Sequence, residues 1–197
     1  MARPARDSLR TGAGLHFSRR GSKRMRLGVI YPQQKAGADA LLRGLAARLE
    51  AGGLRLAGTV QSNAARADGG RCDMDLRVLG GGPGIRISQS LGPGSRGCRL
   101  DLSALEGAVE EVRARMTPDT DLVIINKFGK HEAEGRGFRP LIADALALGL
   151  PVLTAANTLN RFAFESFAAG LAETVPADPD RLQAWIDDVL GDQRIAV

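Results

Sequence analysis

The stretch DLVIINKFGKHEAEGRGFR, residues 121–139, determines how this sequence is interpreted. Its first half is an apolar run rich in β-branched residues, which is typical of a strand buried on both faces of a parallel sheet. The run ends at Asn126 and Lys127, and a segment of charges and glycines follows. Because such sheets bind ligands at the carboxyl ends of their strands, we expect this segment to be a loop that lines a ligand site.

Strands and helices alternate along the remaining chain. Short apolar runs predict strands, and stretches with leucines at helical spacing predict helices. The predicted strands are 26–31, 54–61, 121–126 and 151–157, and the predicted helices are 37–53, 102–116, 140–150, 161–171 and 178–190. This order indicates a mostly parallel sheet with helices on both faces.

The middle of the chain departs from this alternation. Residues 72–79 and 84–90 alternate apolar and polar side chains around a Gly-Gly-Gly-Pro turn, which predicts an antiparallel hairpin with one solvated face. We therefore expect an α/β fold of three layers, αβα, with an inserted antiparallel β-hairpin. Asp101 or Ser103 is expected to cap the helix at 102–116. The aromatic residues near the carboxyl terminus are expected in the core: Phe162, Phe164, Phe167 and Trp185.

Basic residues are concentrated at the amino terminus. The 197-residue chain has a formal net charge of +5, but residues 1–26 hold eight of its 27 basic side chains and one of its 22 acidic ones. We predict a basic, disordered tail at 1–24 and a single α/β domain at 25–191. Such a tail can also contact nucleic acid or an acidic membrane surface through counterion release. The composition favours the disordered leader, so we do not expect a nucleic-acid partner.

The remaining composition points to a cytoplasmic protein. No apolar run is long enough for a signal-peptide core or a membrane span. The two cysteines, Cys72 and Cys98, form no disulfide framework. Together with His16 and His131 they lack the spacing of a zinc site, so we predict no metal site.

Residues 32–42, PQQKAGADALL, have the position of a phosphate-binding loop between the first strand and helix. In the usual pattern of such loops, Gly37 takes the place of the second glycine, Ala38 that of the lysine, and Asp39 that of the magnesium-binding hydroxyl. Amides at the helix N-terminus remain available for an anion, and Lys35 is a candidate substitute for the missing cation. Alternatively, Asp39 is simply the N-cap of the helix.

The strand at 121–126 also departs from a hydrolase pattern at its end. Nucleotide hydrolases place an acidic pair there, to orient magnesium and to polarise water, but this chain has Asn126 and Lys127. If the protein is an enzyme, Lys127 and Glu132 are the catalytic candidates, although a loop carboxylate is more often solvated. Lys130 and Arg136 add positive charge, so the loop favours small anions.

The glycine-rich segment GPGSRGCR, residues 92–99, is the other candidate anion site. Its glycines, among them Gly94, allow consecutive amides to point into one concavity. Ser95 can donate a hydrogen bond, and Arg96 and Arg99 are forked cations suited to tetrahedral oxyanions. A tight surface turn explains the same residues, and both interpretations stay open.

The order of these elements resembles the small P-loop nucleoside-triphosphatases. Gly129 and Lys130 match their Ile-Gly-Lys run, whereas Asn126 and Lys127 replace their Asp-Glu pair. The stretches CDMDL, LGPGSRGCRLD, NKFGKHEAEGRGFR and PVLT are similar to those of an uncharacterised bacterial family, often encoded beside molybdate-uptake or nitrogenase genes. These resemblances imply a P-loop NTPase-like, Rossmannoid fold, and a setting in molybdenum homeostasis, but no established activity.

Three functions therefore stay open. The first is a non-hydrolytic binder of a molybdate-like oxyanion or a nucleotide. The second is a nucleoside-triphosphatase or phosphotransferase with a rearranged site. The third is a regulatory scaffold that binds a protein partner, with the basic tail as a docking arm. For the first, the predicted binding residues are Lys35, Gly37, Gly94, Ser95, Arg96, Arg99, Asn126, Lys127, Lys130 and Arg136.

Overall fold

A computed structural model of the protein describes residues 25–32, 35–65, 72–90 and 99–195. Seven strands form one sheet: β1 Leu27–Ile30, β2 Leu56–Ala64, β3 Asp73–Val78, β4 Gly84–Arg86, β5 Leu122–Phe128, β6 Val152–Ala156 and β7 Ala172–Thr174. The helices are α1 Lys35–Ala51, α2 Leu102–Arg115, α3 Lys130–Ala133, α4 Arg139–Ala147, α5 Arg161–Ala168 and α6 Pro179–Ile195, with a 3₁₀ turn at Thr158–Asn160. The predicted tail at 1–24 lies outside the described residues.

The strand order is β4-β3-β2-β5-β6-β1-β7. All neighbours from β2 to β7 in this order are parallel, whereas β3 pairs antiparallel with both β2 and β4. The predicted α/β fold with an inserted hairpin is therefore confirmed. Helix α1 leaves β1 on one face of the sheet and α5 leaves β6 on the other, so the crevice between β1 and β6 is a topological switch point.

Two apolar layers bury the faces of the sheet. Helices α1 and α6 cover one face, where Leu42, Leu45 and Leu49 of α1 pack with alternate residues of the strands. Helices α2, α4 and α5 cover the other face. Strand side chains alternate between the two faces of the sheet, and helical spacing places the leucines of α1 on one side of the helix. These two periodicities explain both layers.

Gly58 allows β2 and β5 to lie side by side. Its φ is +112°, and a Cβ at this position would lie 1.9 Å from the carbonyl oxygen of Ile124 on β5. Any larger residue would force the two strands apart. The glycine at position 58 therefore permits the close pairing of β2 and β5 at the centre of the sheet. The candidate site depends on this pairing.

Some sequence predictions of local structure were wrong. Helix α1 begins at Lys35, so Asp39 lies inside the helix and is not its N-cap. Strand β5 continues to Phe128, and residues 130–133 form α3 instead of a loop. Phe162 is 85% exposed, not part of the core, whereas Asp101 caps α2 as predicted by accepting from the amide of Ala104. Within the described residues, no helix combines the length and hydropathy that crossing a membrane requires.

Candidate functional site

A chain of side-chain hydrogen bonds joins α1, β2 and β5 at the carboxyl edge of the sheet. Asp39 Oδ1 accepts from Nδ2 of Asn126 at 2.9 Å, and Asp39 Oδ2 accepts from Nδ2 of Asn63 at 2.8 Å. Asn63 Oδ1 accepts from Nε2 of Gln61 at 2.8 Å, and Asn126 Oδ1 accepts from the backbone amide of Gln61 at 3.0 Å. Asp39, Gln61 and Asn126 are buried. The carboxylate therefore anchors an amide network between one helix and two strands.

When the sequence is laid on the P-loop pattern, Asp39 and Asn126 take the places at which a hydrolase holds magnesium. In those enzymes a hydroxyl on the first helix and an acid at the strand end hold the metal between them. Here the acid, Asp39, is on the helix and the amide, Asn126, is on the strand, and the two side chains bind each other directly. An amide nitrogen pointing at the carboxylate offers no lone pair to a cation. These residues do not fit a magnesium ion.

Glu132 is held by the backbone around it. It is buried, and its carboxylate accepts from the amide of Gly129 at 2.8 Å and from the amide of Phe138 at 3.2 Å. The expectation that this carboxylate is solvated is wrong, because α3 turns it inward. Gly137 closes against it, since a Cβ at Gly137 would lie 2.4 Å from Glu132 Oε1. Glu132 therefore stabilises both ends of the connection between β5 and α4 by accepting hydrogen bonds from them.

His131 lies beside this connection and contacts α2. Its Nε2 is 3.2 Å from Oε1 of Glu106, and the same carboxylate oxygen accepts from the amide of Gly137 at 3.3 Å. The His131 side chain is 9% exposed. It therefore joins α3 to α2, and is not the solvated loop histidine that the sequence indicated.

The predicted cations differ in how far their charge is already neutralised. Lys127 is exposed and makes no ion pair with any residue in the part of the chain that the structure describes. Lys130 lies 3.7 Å from Glu134, and Arg136 donates to the same carboxylate. The hydrogen bond from Arg136 holds the pKa of Glu134 below its usual value. Lys127 therefore has the greatest freedom to bind an anion.

Arg99 contacts the hairpin. Its guanidinium donates to the carbonyl oxygen of Cys72 at 3.1 Å and lies 3.5 Å from the carboxylate of Asp73. Gly94, Ser95 and Arg96, which precede it, lie outside the described residues. The prediction that this glycine-rich segment binds an anion therefore stays a prediction.

At the crevice between β1 and β6, aromatic and charged groups meet. The guanidinium of Arg161 lies over the ring of Tyr31, 4.5 Å from its centroid, and donates to Glu165 at 2.7 Å. Burial raises the pKa of the Tyr31 phenol, and the charge of Glu165 adds to the effect. This crevice therefore presents a tyrosine and an already paired arginine.

A pocket of about 240 Å³ opens beside the network, between β2, the hairpin, α2 and the β5–α3 connection. Of the predicted site residues, it brings together Asn126, Lys127, Lys130 and Glu132. Arg99 and Arg136 are not among its lining residues, and Gly37 is an exposed residue in the first turn of α1. Lys35 is the first residue of α1.

Sequence reasoning missed the contribution of β2. The predicted strand stopped at residue 61, whereas β2 continues to Ala64 and presents Thr59, Gln61 and Asn63 at its carboxyl end. The signal was the polar run TVQSNA, to which the rule about strand ends applies equally. Among the described residues, no group of three or more His, Cys, Asp or Glu is arranged to hold a metal.

The chain has a P-loop NTPase-like α/β fold. The crystal structure of THEP1 from the hyperthermophile Aquifex aeolicus superposes with a TM-score of 0.56 at 16% sequence identity, over 84% of this chain and 96% of that one. At this identity the likeness shows the fold alone. It confirms the sequence-based expectation of a P-loop NTPase-like α/β protein.

Sequence similarity extends to a much longer protein. The Molybdenum import ATP-binding protein ModC 2 of Bradyrhizobium diazoefficiens is 37% identical over 163 residues, which are 83% of this chain and 18% of that protein. The chain thus spans less than a fifth of the length of this relative. Residues 27–185 match the family described as "Protein of unknown function (DUF2478)". The chain therefore belongs to the DUF2478 family, whose function is unknown.

Proposed function

We propose that this protein binds an oxyanion, or the anionic group of a nucleotide, at the carboxyl edge of its sheet and does not hydrolyse it. The observation that carries this proposal is the direct hydrogen bond between Asp39 and Asn126. By the sequence pattern, these two residues take the places from which a P-loop hydrolase binds magnesium. Without magnesium, phosphoryl transfer loses its main charge stabilisation.

The nearby carboxylates support the same conclusion. A general base must present a free lone pair to the attacking water. Glu132 instead accepts hydrogen bonds from the amides of Gly129 and Phe138, and Asp39 accepts from two asparagine amides. Glu132 lines the pocket, but both carboxylates are already held in place by two hydrogen bonds each. This arrangement favours binding without turnover.

The cations support anion binding. Lys127 and Lys130 are exposed and line the same pocket. An exposed ammonium retains its hydration until an anion replaces it, and two ammonium groups attract a dianion more strongly than a monoanion. Lys127 is the residue on which we expect affinity to depend most.

An oxyanion of molybdenum is the first candidate ligand. The relative from Bradyrhizobium diazoefficiens is named a molybdenum import ATP-binding protein. Molybdate is a tetrahedral dianion, and we propose it as the first ligand to test, with a nucleotide as the second. The predicted contribution of Ser95 and Arg96 belongs to this same proposal.

Calorimetric titration of the full chain with molybdate, sulfate, phosphate, ATP and GTP tests the proposal. We expect sub-millimolar binding of at least one of these anions, and a loss of about tenfold in affinity in Lys127→Ala, which is the range for one charge-assisted contact. Arg48→Ala is the matched control, because it removes an exposed cation from the last turn of α1, at the opposite edge of the sheet.

A phosphate-release assay with magnesium and the two triphosphates completes the test. We expect no turnover by the wild-type chain. Absence of binding to all five anions overturns the proposal. So does magnesium-dependent phosphate release that disappears in Lys127→Ala, and that second result would establish the hydrolase instead.

A further inference from the structure

The pocket lies on the face of the sheet opposite α1. P-loop proteins bind phosphate at the start of the helix that corresponds to α1. Its apolar lining belongs to the layer covered by α2 and α4, whereas α1 belongs to the opposite layer. The apolar residues of the lining are Met74, Leu76, Ile87, Leu100, Leu105 and Phe138. An occupant of this pocket therefore contacts a different set of residues from a phosphate bound at the start of α1.

Two buried polar atoms belong to residues that line this pocket, and both lack a hydrogen-bond partner among the described residues. They are Oγ1 of Thr59 and Oε1 of Gln61, and the two residues are 0% and 2% exposed. Both side chains project from β2 on the same face, since they are separated by one residue. Buried polar groups in folded proteins are almost always satisfied, so this pair requires an explanation.

The amide network determines which atom of Gln61 is left over. The carboxylate of Asp39 only accepts hydrogen bonds, so Asn63 must direct its amino group towards it. The oxygen of Asn63 is then an acceptor, which obliges Gln61 to present its own amino group there. The Gln61 oxygen is thus fixed as an acceptor that the rest of this network does not use. Because Gln61 lines the pocket, this oxygen is the acceptor that we assign to a donor on a ligand.

We propose that the pocket binds an amino-substituted nitrogen heterocycle that carries a phosphate. The apolar walls cover the faces of the ring, the Gln61 oxygen accepts from its exocyclic amino group, and Lys127 and Lys130 at the rim bind the phosphate. This inference rests on the proposed anion binding and names the molecule to which the anion is attached. A bare oxyanion satisfies neither the apolar walls nor the unused acceptor, because it has no N–H group and its desolvation is costly.

Two pairs of ligands test the role of the amino group. The full chain is titrated with AMP and purine riboside 5′-monophosphate, and with GMP and IMP, which differ within each pair only in an exocyclic amino group. We expect the amino-bearing ligand to bind about tenfold more tightly in at least one pair, which is the range for a buried hydrogen bond lost from a fixed acceptor.

The Gln61→Met variant then identifies the acceptor. Methionine has a similar shape without the oxygen, so the ratio of affinities within the discriminating pair is expected to fall to about one. The ratio should persist in Gln183→Met, which makes the same substitution on α6, on the other face of the sheet. If Gln61→Met does not fold, the comparison of ligands in the wild-type chain decides alone.

The outcomes separate this inference from the proposed function. Equal affinity within both pairs overturns the inference and leaves anion binding intact, provided that binding still weakens in Lys127→Ala. Binding of molybdate or sulfate without binding of any of the four monophosphates has the same meaning. Discrimination that survives in Gln61→Met overturns the assignment of the acceptor. No binding of any anion overturns both proposals together.

Discussion

The two sides of the carboxyl edge use polar residues in opposite ways. On the α1 side, Asp39, Asn63 and Asn126 satisfy one another and leave no group for a metal or a nucleophile. On the pocket side, Thr59 and Gln61 each leave a buried atom unpaired among the described residues, and Lys127 is exposed. The α1 side therefore stabilises the fold, whereas the pocket side retains polar atoms without a partner among the described residues.

Strand β5 divides these tasks between neighbouring residues. Both Asn126 and Lys127 line the pocket, but the Asn126 side chain binds Asp39 of α1, whereas the exposed Lys127 makes no ion pair with any described residue. In a hydrolase of this fold the same two places carry the acids of the catalytic centre. At the end of β5, this chain therefore has a hydrogen-bonded amide and an exposed cation where that pattern has two acids.

The largest expected effect on stability comes from placing an acid at position 126 of β5. In Asn126→Asp, two buried carboxylates replace a hydrogen bond of 2.9 Å, and we expect the free energy of unfolding to fall by about 3–5 kcal/mol. The repulsion raises the pKa of the pair, so the folded variant binds more protons than the unfolded chain above about pH 4. Its stability therefore decreases as pH rises. Urea unfolding at about pH 5 and about pH 8 measures this trend.

The charge-swapped variant Asp39→Asn with Asn126→Asp is the matched control. Every hydrogen bond of the network can re-form in it, since the asparagine introduced on α1 donates to the aspartate introduced on β5, and its oxygen accepts from Asn63. We expect most of the lost stability to return. If Asn126→Asp is as stable as the wild type at both pH values, the α1 side is not the closed network described above.

A second prediction tests how Glu132 holds the β5–α4 connection. Gly137→Ala places a Cβ 2.4 Å from Glu132 Oε1, at a φ of +58°. We expect the free energy of unfolding to fall by about 2–4 kcal/mol, because the carboxylate must move from the amides that it satisfies. Thermal or urea unfolding measures the change.

Gly135→Ala separates strain from displacement of the carboxylate. Its φ is +89°, but nothing lies within 4 Å of a Cβ there, so we expect a loss of about 1–2 kcal/mol from the backbone alone. Equal losses in the two variants would mean that the contact between Gly137 and Glu132 has no energetic importance.

The sequence predicts the sheet and its ligand edge because burial leaves local patterns. The apolar run before Asn126 indicates a strand that is buried on both faces. The leucine spacing of α1 indicates a helix that is buried on one face. They required no knowledge of tertiary contacts. The three-residue strand β7 lacked such a pattern, since Ala-Glu-Thr is too short to show a period.

The candidate site was less predictable, because it depends on which strands are neighbours. Asp39 and Asn126 lie 87 residues apart, and they meet because β5 runs next to β2 and under α1. Nothing in the pattern of either segment encodes that pairing. Glu132 shows the same limit: its burial follows from the turn of α3, which a charged and glycine-rich segment does not reveal.

The smallest expected effects concern the two buried threonines whose hydroxyls have no partner among the described residues. Thr59 and Thr154 are both 0% exposed, but only Thr59 lines the pocket. Replacing a buried, unpaired hydroxyl by a methyl group removes a desolvation cost, so Thr154→Val should raise the free energy of unfolding by up to about 1 kcal/mol. In Thr59→Val we expect a change within about 0.5 kcal/mol, because pocket solvent can satisfy that hydroxyl in the free protein. Urea unfolding of the two variants side by side measures the difference. An equal gain in both would show that Thr59 faces a dry interior, and the pocket side would then be as closed as the α1 side.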